Sequence, residues 1–452
     1  MLQRFRSAWH DSSLSAWNAG LIAVLISFAG PMTLILQAAE EGGLTPEMTV
    51  SWVWAASVCT GITTIVMSLT MRLPMIAAWS IPGSVLLISG LQRYSINDLV
   101  GVYLLVGAVS IILSVTGIFS RIVEQVPSGV TNGVLAGILL PICFQAVGAG
   151  QHIPVMAGAM LLAYLVARRL APLFAVPVAM FVGMVTLLFL GGLDSANSLV
   201  VDSPVAHPIW ITPRFDAAAT LSVGFPLLFV TMAGQNLPGI DMMRSFGYRF
   251  NARAALTACN IGGVVFAPFG LHSANLATVT GVVCAGPESH PARRVRYVAG
   301  IAGGVFYILA GIIAPVIVTL MTMISAAALA ILSGLVLLPA LTTALTTLFK
   351  HHLNVRGTQN NVGLEAGIVA LVVTASELTI MNISAPVWGL LAGLLVHLIM
   401  AGTGGRSGRK RPSDAKPKIS SHSPPPQTLH TAPVVYATHI TSGADTAGRK
   451  ST

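Results

Sequence analysis

Leu73–Gly90 reads LPMIAAWSIPGSVLLISG. The stretch is apolar enough for lipid, yet Pro82-Gly83 falls in its middle. Proline removes a helical N–H donor and glycine loosens the backbone, so a helix here is expected to break inside the membrane. Ala267–Gly281, APFGLHSANLATVTG, has the same character: Pro268 and Gly270 interrupt it just ahead of His272-Ser273-Ala274-Asn275. The two interruptions lie 186 to 190 residues apart.

That spacing is close to an internal repeat. VLAGILLP (Val134–Pro141) resembles ILSGLVLLP (Ile331–Pro339), and Gly107 to Gly137 spans the same 30 residues as Gly304 to Gly334. The offset between the halves is 197 residues. SFAGP (Ser27–Pro31) and TMAGQ (Thr231–Gln235) add a weaker match. Paired, Gly/Pro-interrupted segments in two halves point to a binding site in inverted-repeat transporters.

Composition agrees with membrane embedding. Of 452 residues, 54% are hydrophobic and 9% charged, with a mean hydropathy of +0.80, against about 25% charged residues in soluble domains. Fourteen spans can be read between the charges, the first over 15–37; the third (75–91), sixth (153–167) and tenth (272–287) are short for lipid. With a cytoplasmic N-terminus, the inward loops hold twelve Lys/Arg, from Arg72 to Arg356, against Arg93 and Arg214 outside, a strong positive-inside bias. Both termini then face the cytoplasm. Seven spans per half is an odd number, so the halves are expected to be inverted. The fold class is an all-α membrane protein with a 7+7 inverted repeat.

Arg4 and Arg6 ahead of an apolar run fit a signal peptide in part, but Leu14–Ala39 is long enough to span and is read as the first transmembrane helix. Residues 403–452 carry eight Lys/Arg against Asp414 and Asp445, are rich in Ser, Pro, Thr and Gly, and are expected to be a disordered cytoplasmic tail. Cys59, Cys143, Cys259 and Cys284 lie in apolar runs without metal spacing, so neither a disulfide framework nor a metal is expected. No paired carboxylates, HExxH, nucleophile elbow or Walker loop occurs in the spans, and the chain is not read as an enzyme.

The site candidates follow from the breaks. A half-helix beginning inside the membrane exposes N–H groups and a positive dipole end, which together suit an anion. Ser80 and Ser84 flank Pro82-Gly83; Ser273 and Asn275 flank the second break. Gln235 and Asn236 are adjacent amides in an apolar helix, just before Pro238-Gly239. Each needs a partner, either another helix or a ligand. His272 is the ionisable group most conspicuous at membrane depth, with an ordinary imidazole pKa near 6.5; it is either a proton site or a neutral histidine on a backbone carbonyl. Asp241 is read as an ion-pair partner of Arg244, Glu377 as a rim carboxylate, and His397 as a packing residue.

AGLIAVLISFAGPMTLILQAA (Ala19–Ala39), AWSIPGS (Ala78–Ser84), TMAGQNLPGI (Thr231–Ile240) and FGLHSANLATVTGVVCAG (Phe269–Gly286) together resemble the benzoate:proton symporter family, the BenE type, over about residues 10–402. More distantly the layout is similar to fourteen-helix transporters of nucleobases and anions. That resemblance implies a core domain (1–127 and 215–318), a gate domain (128–192 and 319–402), and a short strand leading into a half-helix in spans three and ten. Uracil carriers of that fold hold an acid where this chain has Gln235; an amide suits a ligand that brings its own carboxylate.

The expected activity is import of benzoate or a related aromatic carboxylate by proton symport. Other readings are a carrier of a nucleobase or other anion, or a passive facilitator. Ser80, Ser273, Asn275, Gln235 and Asn236 are the expected donors around Pro82-Gly83, Phe28 and Trp79 would bracket the ring, and His272 would take the proton. Expected partners are the carboxylate, protons and the bilayer, with no nucleic acid and no cofactor; exposed gate helices would suit a homodimer. The expected location is a bacterial inner membrane.

Overall fold

The computed structural model describes residues 2–118, 125–189, 203–350 and 361–403; the tail from 404 on, Arg121 and Arg356 lie outside the described residues. The protein is mostly helical. In chain order the first part contains α1 (Leu2–His10), α2 (Leu14–Ala29), α3 (Pro31–Glu41), α4 (Pro46–Met71), strand β1 (Ala77–Ala78), α5 (Ile81–Leu91), α6 (Ile96–Thr116), α7 (Ser128–Ala149), α8 (Pro154–Leu170) and α9 (Ala175–Phe189). The second contains α10 (Ala217–Ser245), α11 (Ala252–Phe266), strand β2 (Asn275–Leu276), α12 (Val279–Ala285), α13 (Tyr297–Ile312), α14 (Ala314–Thr322), α15 (Ala326–Lys350), α16 (Asn361–Ala375), the hairpin β3 (Thr379–Ile380) and β4 (Ile383–Ser384), and α17 (Ala385–Thr403).

Among the described residues nine helical stretches are long and apolar enough to cross a membrane, from Leu14–Glu41 to Ala326–Phe349. Helix starts follow local chemistry. Ser13, Thr45, Asp216 and Asn251 each accept a hydrogen bond from a first-turn N–H, and Ser95 forms a reciprocal capping box with Asp98, satisfying donors that a helix end leaves unpaired. The first span departs from its reading as one helix: Pro31 lacks the N–H that would bond Ser27, and the chain turns at Gly30 (φ −116°, ψ −87°) between α2 and α3.

Span eight also differs from expectation. Pro238-Gly239 does not break it; α10 continues to Ser245. Instead it widens by one residue per turn at Thr220–Gly224 and Met232–Asn236, where the Phe225 and Leu237 N–H groups reach back five residues to Thr220 and Met232. Each widened turn is followed by one residue and then a proline, Pro226 or Pro238. A proline cannot donate to the carbonyl four residues back, and an inserted residue absorbs the mismatch.

Small residues let backbones touch, as expected where lipid supplies no hydrophobic drive between helices. Gly61 of α4 lies against the backbone of Gly304 and Ile308 in α13. Gly133 of α7 lies against the Gly367 carbonyl of α16, where a Cβ would land on that oxygen and within 3.2 Å of the Ala370 methyl. Gly133→Val is therefore expected to cost about 1–3 kcal/mol or more through overpacking, read as a Tm several degrees below the parent protein in detergent; an unchanged Tm would show that α7 and α16 can separate freely.

The two chain halves carry matching features. Pro141 and Pro339 each sit inside their helix, thirteen residues after Ser128 and Ala326 respectively, and those helices, α7 and α15, pack against each other. Strands β1 and β2 pair antiparallel, Ala77 with Leu276 and Ala78 with Asn275. The hairpin β3–β4 was not expected from the sequence. So the chain is not purely helical: two short two-stranded sheets accompany the helices.

Candidate functional site

The site is built where β1 and β2 cross. Hydroxyls of α4 hold the chain entering β1: Thr64 Oγ1 accepts from Ala77 N at 2.9 Å and Ser68 Oγ donates to the Met75 carbonyl at 2.9 Å. Ser80 then caps α5, its Oγ accepting from Gly83 N at 3.0 Å. Ser84 N and Oγ both return to the Ser80 carbonyl, at 2.9 and 3.0 Å. Pro82 has no N–H. Ile81 is thus the first-turn N–H of α5 left without a partner among the described residues.

The second break is different. After β2 the chain becomes helical only at Val279, α12 has seven residues, and no side chain caps it. Ser273 and Asn275, expected as caps or free donors, are engaged elsewhere: Asn275 Nδ2 donates to Ser273 Oγ at 3.0 Å, and Asn275 Oδ1 accepts from Asn236 Nδ2 at 3.2 Å. Asn236 Oδ1 in turn accepts from Leu276 N at 3.1 Å. One amide therefore satisfies the edge of β2 and fixes it on α10.

Its neighbour Gln235 is spared. It is buried, at 6% exposure, and its amide finds no hydrogen-bond partner among the described residues. Neighbouring side chains on a helix point about 100° apart, so the two amides have different surroundings. Leu227, Thr231 and Gly234 of α10 face the start of α5. The Leu227 side chain lies 2.9 Å from where a Gly83 Cβ would sit, Thr231 Oγ1 donates to Ser80 Oγ at 3.4 Å, and Pro82 and Leu135 of α7 lie 3.4 and 3.3 Å from a Cβ built on Gly234. Ser80, Pro82, Gly83 and the Gly234-Gln235 turn thus share one place.

A family model of the benzoate membrane transport protein, BenE, matches residues 10–399. This chain belongs to the BenE family. The inner membrane protein YdcO of Escherichia coli K12 is 35% identical over 382 residues, 84% of this chain and 95% of that protein. The benzoate membrane transport protein of Acinetobacter baylyi is 32% identical over 390 residues, 86% of this chain and 96% of its own. Among solved structures, the transmembrane domain of the cyanobacterial bicarbonate transporter BicA is similar at a TM-score of 0.57 and 16% identity, over 84% of this chain and 97% of that one. SLC26A9 is similar at 0.58 and 11%, over 85% and 65%. These likenesses establish a shared fold. The BenE family is one of membrane transport proteins rather than enzymes.

In this BenE family member His272 lies behind α5. It is 2% exposed. Its Nε2 donates to the Ser80 carbonyl at 3.1 Å and lies 3.4 Å from Ser84 Oγ, while Nδ1 has no partner. Trp52 and Tyr103 present their rings edge-on to the imidazole at 6.0 and 6.3 Å between centroids, and Trp52 Nε1 and Tyr103 OH are also buried without partners. Phe28 and Trp79, expected to bracket a ligand ring, instead pack on each other at 6.3 Å edge to face, and Tyr307 of α13 completes a buried triangle with them at 6.5 and 6.3 Å. The Tyr307 hydroxyl bonds Ser27.

Sequence reasoning missed Trp52, Tyr103 and Tyr307. The available signal was a ring with a polar handle inside an apolar helix, which seeks a partner when buried. Asp241 and Arg244 do pair, at 3.7 Å on the exposed end of α10. Glu377 is exposed, at φ +55° in the turn after α16. His397 is half-buried in α17, its Nδ1 unpartnered. The four cysteines are free.

Proposed function

We propose that this protein imports benzoate or a related aromatic carboxylate across a bacterial inner membrane by symport with a proton. One observation carries the reading: Gln235, 6% exposed and making no side-chain hydrogen bond among the described residues, follows Gly234, which packs on Pro82 in the first turn of α5, and the capping residue Ser80 of that turn holds His272 on its carbonyl. An anion site and a proton site would then communicate through a single residue. The carboxylate would take the Ile81 N–H and the Gln235 amide at the positive end of α5. The seven-residue α12 is too short to supply a second such end. Ser273, Asn275 and Asn236 would act mainly by holding β2 in place, and Phe28 and Trp79 would form an apolar wall beside Pro82 and Gly83.

A carboxylic acid with pKa near 4 is an anion at neutral pH. Moving it inward against about 100 mV costs about 2.3 kcal/mol, and one accompanying proton cancels that cost. The proposed frame is fourteen spans in a 7+7 inverted repeat, with core (1–127, 215–318) and gate (128–192, 319–402) domains and both termini cytoplasmic. The paired β1–β2 register and the matched Pro141 and Pro339 support the repeat. The relative named a benzoate transport protein supports the substrate.

The test is uptake of labelled benzoate into proteoliposomes with and without an inward proton gradient. Accumulation that needs the gradient and collapses with a protonophore is the expected result. Equilibration without accumulation would make the protein a facilitator, and no flux through folded protein would move the substrate to another anion or a nucleobase.

A further inference from the structure

A second cleft opens at the other end of α5. Leu86 and Ile88 of α5 form one wall and Ile138, Pro141 and Ile142 of α7 the other. Gln92, Arg93, Gln145 and Glu377 stand around it. Its volume is about 160 Å³, below the ~300–1,000 Å³ of drug-sized ligand sites, which restricts it to a small ligand. The lining on α5 begins at Val85, one turn or about 6 Å along the axis from Ile81 at 1.5 Å per residue, so the cleft leads along one helix toward the Ser80–Gln235 site, with Arg93 at its far end.

The cleft sets one cation, Arg93, and one carboxylate, Glu377, beside apolar walls. Arg93 is exposed and donates through Nη1 to Thr379 Oγ1 in the β3–β4 hairpin. A guanidinium has five donors, so others remain for a ligand. Among the described residues Arg93 has no carboxylate within ion-pair distance. Glu377, which also lines the cleft two residues before Thr379, carries the opposing charge and would repel a carboxylate. We propose that the cleft is an outer capture site for monoanionic aromatic carboxylates, with the Arg93 guanidinium receiving the carboxylate and the Leu86–Ile142 walls receiving the ring. The assignment rests on the transport reading above and on the sequence orientation that puts Arg93 outside. A rim charge of this kind acts on encounter more than on the later steps, so its signature is in KM.

The test is benzoate uptake by right-side-out membrane vesicles under a fixed inward proton gradient, at low and high ionic strength. Arg93→Gln is expected to raise KM about five-fold or more at unchanged Vmax and to abolish the rise of KM with salt expected of the parent protein. Arg93→Lys should stay within about two-fold of the parent, since the point charge is kept, and Glu377→Gln should lower KM. Thr379→Val removes only the hairpin partner of Arg93 and should leave KM unchanged. A KM for Arg93→Gln within about two-fold of the parent would overturn the capture site, as would a Thr379→Val protein that behaves like Arg93→Gln. Parent uptake with no Arg93 effect removes the capture site alone; absence of parent benzoate uptake removes the transport reading and this site with it.

Discussion

Gln235→Glu is expected to weaken benzoate binding about a thousandfold at neutral pH while leaving the fold intact. The two side chains have the same shape, so packing on α10 is preserved. What changes is the sign of the interaction. A neutral donor to the carboxylate becomes a second carboxylate, and two like charges about 4 Å apart at an effective dielectric near 20 repel by about 4 kcal/mol, three decades in affinity. Gln235→Ala removes the donor without adding charge and should cost less, about 1.5–3 kcal/mol for a hydrogen bond to a charged group. The measurement is equilibrium binding of labelled benzoate to monodisperse protein. Equal affinity in the parent and in Gln235→Glu would take Gln235 out of the site. Asn236→Ala gives the contrast: Asn236 is bonded on both amide atoms to β2, so its loss should appear first as lowered stability.

His272→Gln should separate binding from proton coupling. A one-unit inward pH gradient is worth about 1.4 kcal/mol, enough for one-proton symport to hold benzoate at about tenfold accumulation. In His272→Gln that ratio should fall to about one, the value for uncoupled equilibration. A glutamine amide can still donate toward the Ser80 carbonyl, now bonded by Nε2 at 3.1 Å, so the cap of α5 survives. It cannot take up a proton at neutral pH. Exchange of labelled for unlabelled benzoate with no gradient needs no net proton movement and should persist. His272→Ala would instead open a cavity between Trp52 and Tyr103, with the Ser80 carbonyl keeping only its Ser84 donors, and should lose exchange as well. Gradient-driven accumulation by His272→Gln equal to the parent would remove His272 from the mechanism.

The two structural surprises in α10 and α2–α3 have one cause. Proline deletes a backbone donor, but what the chain does about it depends on the neighbours. At Pro31 the helix turns on Gly30; at Pro226 and Pro238 it stays whole and widens. The sequence marks the position of each disturbance and not its kind, because a break and a widened turn differ by little locally and are chosen by packing.

Sequence by itself determined the membrane embedding and the charge asymmetry between loops, and it marked prolines and glycines at which helices are disturbed. Each follows from rules that act within a few residues: transfer of side chains into lipid, the missing proline donor, the absent glycine Cβ. Only the tertiary structure decided that β1 pairs with β2, in a register joining Ala78 to Asn275, that His272 rests on the carbonyl of Ser80, and that Asn236 is consumed by that pairing while Gln235 is left over. Those facts join residues up to 197 positions apart, and no local preference can choose among such partners; the close packing of α4, α5 and α10 around the crossing does.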